Sequence, residues 1–278
     1  MNNLEKLQKV QLNILKQLIR ICDEHNLRYY AIAGTTLGAV RHNGFIPWDD
    51  DIDVSMPRED YEKLQEIFSR NSIGDYELET IYTHENHETP IMKLTDKSVK
   101  LIPRRKTIEQ KASNAYIDIA SMDGLPDRKI SRYFHVWLFL IKRKLFYVAN
   151  FNVTAEINNK NKSPIKKLLV WLINKLKIYK LFDKKSIAAS GDKMLKKHSF
   201  YTAKYCSPQL WGMYKTKAVF PTEYIGEGAF LPFEDIQIRV PANYSGYLSQ
   251  LYGEDYMQMP PSEQRKPKHS TELIFNNE

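Results

Sequence analysis

Residues 48–56 read Trp48-Asp49-Asp50-Asp51-Ile52-Asp53-Val54-Ser55-Met56, and the alternation from Asp51 onward decides the fold class. Ile52, Val54 and Met56 fall on one side of an extended chain and Asp51, Asp53 and Ser55 on the other, the pattern of a half-buried strand. Four aspartates in five positions repel one another and are best tolerated where a cation binds. An acidic run is more often a solvated turn than a site. This one, however, is threaded between Phe45-Ile46-Pro47-Trp48 and the apolar back of a strand. On that strand the Cα atoms of Asp51 and Asp53 stand about 6.5 Å apart, so their carboxylates can share one metal ion or bridge two. The same pleat turns Asp50 to the opposite face, where it should matter less, and leaves Asp49 at the strand's entrance as a supporting group. An EF-hand loop is excluded: counted from Asp49, Val54 stands where glycine is required and Asp60 where a bidentate glutamate is expected.

Upstream, Leu27 to Ala33 reads as a short strand, Gly34-Thr35-Thr36 as a tight turn, and Leu37 onward as the start of a helix. Backbone N–H groups at a helix start face anions, and glycine lets a phosphate approach closely, so Gly34 and Thr35 are candidate phosphate-binding residues. Leu4, Leu7, Val10, Ile14, Leu15, Leu18, Ile19 and Cys22 recur at helical spacing and predict a packed amphipathic helix. Downstream, 59–70 reads as helix, and 76–82, 91–94, 99–102 and 116–120 as strands. The last of these is closed by a turn at Asp123-Gly124-Leu125-Pro126. Asp118, bracketed by Ile117 and Ile119, is a third candidate carboxylate, with a cap or an ion-pair partner as its plainer reading. The pattern is mixed α/β.

The chain has 278 residues, 42% apolar and 27% charged, and a net charge of +8, enough for one core with an insertion. Two cysteines and seven scattered histidines make neither a disulfide framework nor a zinc spacing. Lysines interleaved with leucines at the N-terminus are not a signal peptide, which points to a cytoplasmic protein. Charge is unevenly spread: residues 129–185 hold 14 Lys and Arg against Glu156 and Asp183. Within this stretch Ile165 to Phe182 reads as a helix with Lys166, Lys167, Asn174, Lys177 and Lys180 along one side. The apolar run Val136 to Val148 is interrupted by Lys142, Arg143 and Lys144, so it can touch a membrane but not span it. No nucleic-acid reading motif occurs in the basic stretch, and nucleic acid is not an expected partner.

The segment Gly34 to Asp53, from Gly-Thr-Thr-Leu-Gly to Trp-Asp-Asp-Asp-Ile-Asp, resembles the signature of the LicD/fukutin family within the nucleotidyltransferase superfamily. Tyr116-Ile117-Asp118-Ile119 and the tail around Leu251-Tyr252-Gly253-Glu254-Asp255-Tyr256-Met257 add weaker support. The resemblance covers 1–126 and 215–270 and implies a nucleotidyltransferase-like mixed β-sheet core over 1–128 with a C-terminal segment over 213–278 that returns to it; the basic helical insertion over 129–212 is left uncovered. It also implies transfer of a phospho-alcohol, typically phosphocholine from CDP-choline, to a sugar hydroxyl of a teichoic acid, capsule or lipopolysaccharide precursor, with CMP released. CDP-ribitol, CDP-glycerol or true nucleotidyl transfer are the alternatives. On this reading Asp51, Asp53 and Asp118 hold Mg²⁺ or Mn²⁺, and Gly34, Thr35, Arg41 and Lys93 contact the donor phosphates. Trp48, Tyr252 and Tyr256 are candidate walls for choline or nucleotide. A lipid-linked acceptor would suit a basic insertion placed peripherally at the anionic inner face of the plasma membrane. A solvated helical insertion explains the same charges equally well.

Overall fold

The N-terminal stripe forms α1, Asn3–His25, in the computed structural model, which describes residues 2–84, 87–103, 112–150, 171–172, 175–267 and 271–275. Asn2 and Glu5 close a capping box at its start, and Asn26 ends it in the left-handed region. β1 is only Tyr30–Ala31, and α2 runs from Ala33 to His42. Gly34, Thr35 and Thr36 are therefore the first turn of a helix rather than a turn ahead of one. The Thr35 and Thr36 N–H groups reach back to the Ile32 carbonyl at 3.1 and 3.4 Å.

β2, Asp53–Pro57, is followed by α3, Arg58–Arg70, β3, Tyr76–Glu79, β4, Met92–Pro103, and β5, Ser113–Leu125. The two runs read from sequence at 91–94 and 99–102 are one strand. Its register against β5 shifts between Asp96 and Lys100, where the Asp96 carboxylate accepts hydrogen bonds from the Ser98 N–H and hydroxyl. β5 also outlasts its expected end at Ala120, because Asp123-Gly124-Leu125 pair with β6, Tyr205–Ser207, instead of turning.

Helices α4, Lys129–Ala149, and α5, Lys184–Leu195, pack against each other beside this end of β5. Much of the helix expected from Ile165 to Phe182 lies outside the described residues, Lys166, Lys167 and Asn174 included. Trp171, Leu172 and Lys175 are helical, but Lys177 adopts φ +50° and a 3-10 turn takes over at Ile178–Leu181. The chain then adds β7, Phe220–Pro221, the short helix α6, Thr222–Ile225, a hairpin of β8, Ala229–Phe233, and β9, Ile236–Val240, helix α7, Tyr244–Tyr252, and β10, Thr271–Phe275. Among the described residues no helix is long and apolar enough to cross a membrane.

The main sheet has the order β1-β2-β5-β4-β10, with β3 also on β4 and β6 joining β5 to β7. β2 and β5 run parallel and the other pairs antiparallel, so the sheet is mixed and the fold is α/β. One face carries Val54, Met56, Ile117 and Ile119 into a core with Leu15 and Leu18 of α1 and Leu64 of α3. The opposite face carries Asp53 and Asp118. From Asp53 to Met56 the alternation thus sorts as its pattern predicts, although Ser55 is also buried, its hydroxyl donating to the Pro208 carbonyl at 2.7 Å.

Candidate active site

The parallel register of β2 and β5 sets Asp53 beside Asp118, and the antiparallel register of β4 and β5 sets Lys93 on the other side of Asp118. Partners on neighbouring strands share a face, and the strands lie about 4.8 Å apart, so Lys93, Asp118 and Asp53 form one row across three strands. The first turn of α2 is fastened to the end of this row. Thr35 Oγ1 accepts the Asp53 N–H at 2.9 Å, and the Ile32 N–H donates to the Asp53 carbonyl at 3.1 Å. Ala33, at φ +49°, turns the chain sharply into the helix, and its N–H donates to the buried Tyr247 hydroxyl at 3.1 Å.

Asp51 lies just ahead of β2 rather than within it, because residues 49–51 follow the turn at Pro47-Trp48 outside the ladder, which the chain joins where the Ile52 carbonyl accepts the Asp118 N–H at 3.0 Å. Strand pleating does not govern them, and the Asp50 carboxylate is not turned away: oxygens of Asp49, Asp50 and Asp51 all lie within 4.8 Å of one another. Asp49 and Asp50 retain 9% and 6% of their exposure. Helix α1 holds this segment from behind. Gln8 Nε2 donates to the Asp49 carbonyl at 2.8 Å, while Gln11 Nε2 donates to the Asp50 carbonyl at 2.9 Å and the Tyr116 carbonyl at 3.3 Å. Gly34 abuts the same cluster, since a Cβ there would stand 2.8 Å from Asp49 Oδ2.

Tyr116 precedes Asp118 by two residues and shares its face. Burial raises the pKa of its hydroxyl, and Asp118, Asp51, Asp50 and Asp53 push in the same direction, so the phenol stays protonated among four carboxylates. The Lys93 ammonium lies 3.5 Å from the centre of the Tyr116 ring. The donor set is carboxylate oxygen throughout, concentrated on one rim and bordered by a cation. That chemistry fits Mg²⁺ or Mn²⁺ and does not suit a soft metal.

The remaining residues singled out from sequence gather at the other end of α2. Arg41 Nη1 donates to the carbonyls of Tyr256 and Gln258 at 3.0 and 3.1 Å, pinning the C-terminal segment. Trp48 lies edge-on to His42 with ring centres 6.2 Å apart, and the Arg265 guanidinium stands 5.8 Å from its ring centre. The Tyr214 hydroxyl donates to that of Tyr252 at 2.8 Å, and the Tyr256 hydroxyl donates to Ser245 Oγ at 3.2 Å. Trp48, Tyr252 and Tyr256 are all half-buried against one apolar cluster. Tyr252 connects the two groups, because its hydroxyl pKa is raised by burial, then by Tyr214 and Tyr247, and also by Asp53.

The sequence of 26–121, which contains the whole carboxylate row, matches the LicD/FKTN/FKRP nucleotidyltransferase domain. Over 98% of its length the chain is 31% identical to the lipopolysaccharide cholinephosphotransferase LicD of Haemophilus influenzae, of which it covers 98%. The chain belongs to the LicD family of phosphotransferases. Shorter matches of 54 residues link this LicD-family chain to uncharacterised proteins of Rickettsia prowazekii (43% identity; 19% of this chain and 20% of the other) and Rickettsia typhi (41%; 19% and 18%).

Sequence reasoning missed Gln8, Gln11, Tyr116 and Tyr247 as supports of the LicD-family site. Tyr116 was open to detection, since it sits at i−2 from Asp118 on an alternating strand. Gln11 carried a fainter signal as a polar residue between apolar helix positions, yet it is 2% exposed. Nothing in the local sequence marks Tyr247, whose partner Ala33 is 214 residues away.

Proposed function

We propose that this LicD-family enzyme transfers phosphocholine from CDP-choline to a sugar hydroxyl of a surface-glycan precursor and releases CMP. One observation carries the reading: the row Lys93–Asp118–Asp53 lies inside a sequence similar over nearly its whole length to a lipopolysaccharide cholinephosphotransferase. The likeness favours choline as the alcohol and lipopolysaccharide or a related teichoic acid or capsule precursor as the acceptor. A lipid-linked acceptor would place the reaction at the inner face of the plasma membrane.

Asp51, Asp53 and Asp118 would hold Mg²⁺ or Mn²⁺, with Asp49 and Asp50 clustered beside Asp51. When bound, the ion neutralises the donor diphosphate and the charge that develops on departing CMP. Asp118 would accept the proton of the acceptor hydroxyl as it attacks the phosphorus next to the alcohol. Lys93, held against Tyr116, supplies positive charge at the same rim. In the N-terminal turn of α2, Gly34 would let a phosphate approach closely, while Thr35, its N–H bonded to the Ile32 carbonyl, fastens that turn to Asp53. Trp48, Tyr252 and Tyr256 present rings to the quaternary ammonium or the base.

Transfer of the nucleotidyl group would use the same carboxylates, and the matched domain is of the nucleotidyltransferase type. Product analysis distinguishes the two readings. With CDP-choline, a glycan acceptor and Mg²⁺, we expect free CMP and a phosphocholine-bearing acceptor, and no turnover after exhaustive EDTA treatment. A cytidylylated acceptor with free phosphocholine, or undiminished turnover in EDTA, would contradict the proposal.

A further inference from the structure

Helix α4 is apolar on two opposite faces. His135, Val136, Phe139, Arg143 and Phe146 are buried, with Phe139 and Phe146 packed edge-on to Trp211 at 4.8 and 5.5 Å. On the far side, Ile130, Phe134, Trp137 and Ile141 recur at steps of four, three and four residues, with Tyr133 and Leu138 flanking them. Ile130 is 74% exposed, Phe134 55% and Trp137 50%. A helix that needed only to rest on the protein would turn a polar face outward.

We infer that the outward face of α4 docks this protein onto an anionic lipid bilayer, with the helix lying in the plane of the interface. Charge selects this occupant over a second copy of the chain. Besides the buried Arg143, residues 129–150 contain Lys129, Arg132, Lys142 and Lys144 and no acid, so two copies meeting face to face would bring like charges together. An anionic leaflet complements them, and Trp and Tyr rings favour the headgroup boundary. Apolar exposure recurs in the segment that packs on α4: the 3-10 turn Ile178–Leu181 contacts α4, Leu181 within it is exposed, and so is Leu176 just ahead of it. Trp171 is exposed too, with the Lys175 ammonium 4.6 Å from its ring centre. The arrangement fits a helix lying on a membrane, not one crossing it. The inference does not depend on the identity of the donor, and CMP release in solution would survive its failure.

The test is co-sedimentation of the full chain with vesicles of equal parts phosphatidylglycerol and phosphatidylcholine, beside vesicles of phosphatidylcholine alone. The intact chain should partition onto the anionic vesicles roughly tenfold or more better than onto the neutral ones, and added salt should weaken the binding. Phe134→Ser/Trp137→Ser/Ile141→Ser should lose roughly tenfold or more of that partitioning at an unchanged melting temperature. Should the triple variant not fold, quenching of tryptophan emission by brominated lipid gives the answer in the intact chain, and Trp137→Phe should remove much of it. Three results would overturn the inference: no binding of the intact chain to anionic vesicles at low salt, wild-type partitioning by the folded triple variant, or no quenching. A solution dimer that fails to bind vesicles and is split by the triple substitution would assign the face to a second copy instead.

Discussion

Asp53 and Asp118 are register partners on the two parallel strands of an otherwise antiparallel sheet. The pairing joins carboxylates 65 residues apart in sequence on one surface, because the backbone of β2 and β5 sets their spacing independently of any loop. Around that pair, the first turn of α2, the 49–51 segment and Tyr116 are each tied to the sheet or to α1 by hydrogen bonds.

The closeness of Gly34 to Asp49 yields the first prediction. A methyl at Gly34 would meet Asp49 Oδ2 at 2.8 Å and displace the carboxylate from its neighbours. Gly34→Ala should fold normally, because alanine favours helices, and should lower turnover by roughly tenfold or more. Wild-type turnover of the folded variant would show that Asp49 need not hold its position.

The site was legible in sequence wherever one element carried the signal. The Asp51–Met56 alternation gave β2 its faces, the Gly34–Asp53 segment carried the family, and the mixed α/β class followed from the run of strands and helices; the family and the fold class are borne out. What depended on contacts between distant segments was not legible. Asp50 joins its neighbours because the 49–51 segment stays outside the ladder at a bend held by Gln8 and Gln11, which no pleat rule anticipates. Asp123 was read as part of a turn because its partners, Arg58 and β6, come from remote parts of the chain.

That pair provides a stability prediction. The Arg58 guanidinium grips Asp123 through two bonds of 2.7 and 2.8 Å and Asp192 through one of 2.7 Å, with Arg58 and Asp123 almost fully buried. Burial alone would lower the Arg58 pKa, but Asp123 and Asp192 raise it instead. Arg58→Met leaves a buried carboxylate unpaired and should cost about 3–5 kcal/mol in denaturant unfolding. Arg58→Met/Asp123→Leu should recover part of the loss. A cost below about 1 kcal/mol for the single change would show that the pair does little to hold α3 and α5 to β5.

Tyr247→Phe tests the support beneath α2. The variant leaves the Ala33 N–H, now bonded at 3.1 Å, without its acceptor in a buried position. A loss of about 1–3 kcal/mol is expected, together with reduced turnover. Unchanged values of both would remove Tyr247 from the account.

His87 gives the protein an acid-side liability. Its ring bonds the Ile91 carbonyl at 2.7 Å, and burial, outweighing that bond, lowers its pKa from 6.5 to about 4, with Lys93 and Lys184 adding repulsion. The folded state therefore resists a proton that the unfolded chain accepts. The contribution of His87 is fully present above pH 6.5 and is lost as pH falls from 6.5 toward 4. The melting temperature should drop across that window, and His87→Gln, which can still donate to Ile91, should shallow the slope. An identical slope in the variant would assign the acid sensitivity elsewhere.

The central claim is that Asp53 and Asp118 act as one metal-dependent centre for phosphocholine transfer. The most direct measurement is CMP release from CDP-choline with Mg²⁺ and a glycan acceptor, comparing the native chain with Asp53→Asn, whose circular dichroism and melting temperature should match. The account predicts turnover at least roughly a thousandfold lower in the variant, as when a group acting in the transition state is removed. Turnover by folded Asp53→Asn within a few-fold of the native rate would contradict it.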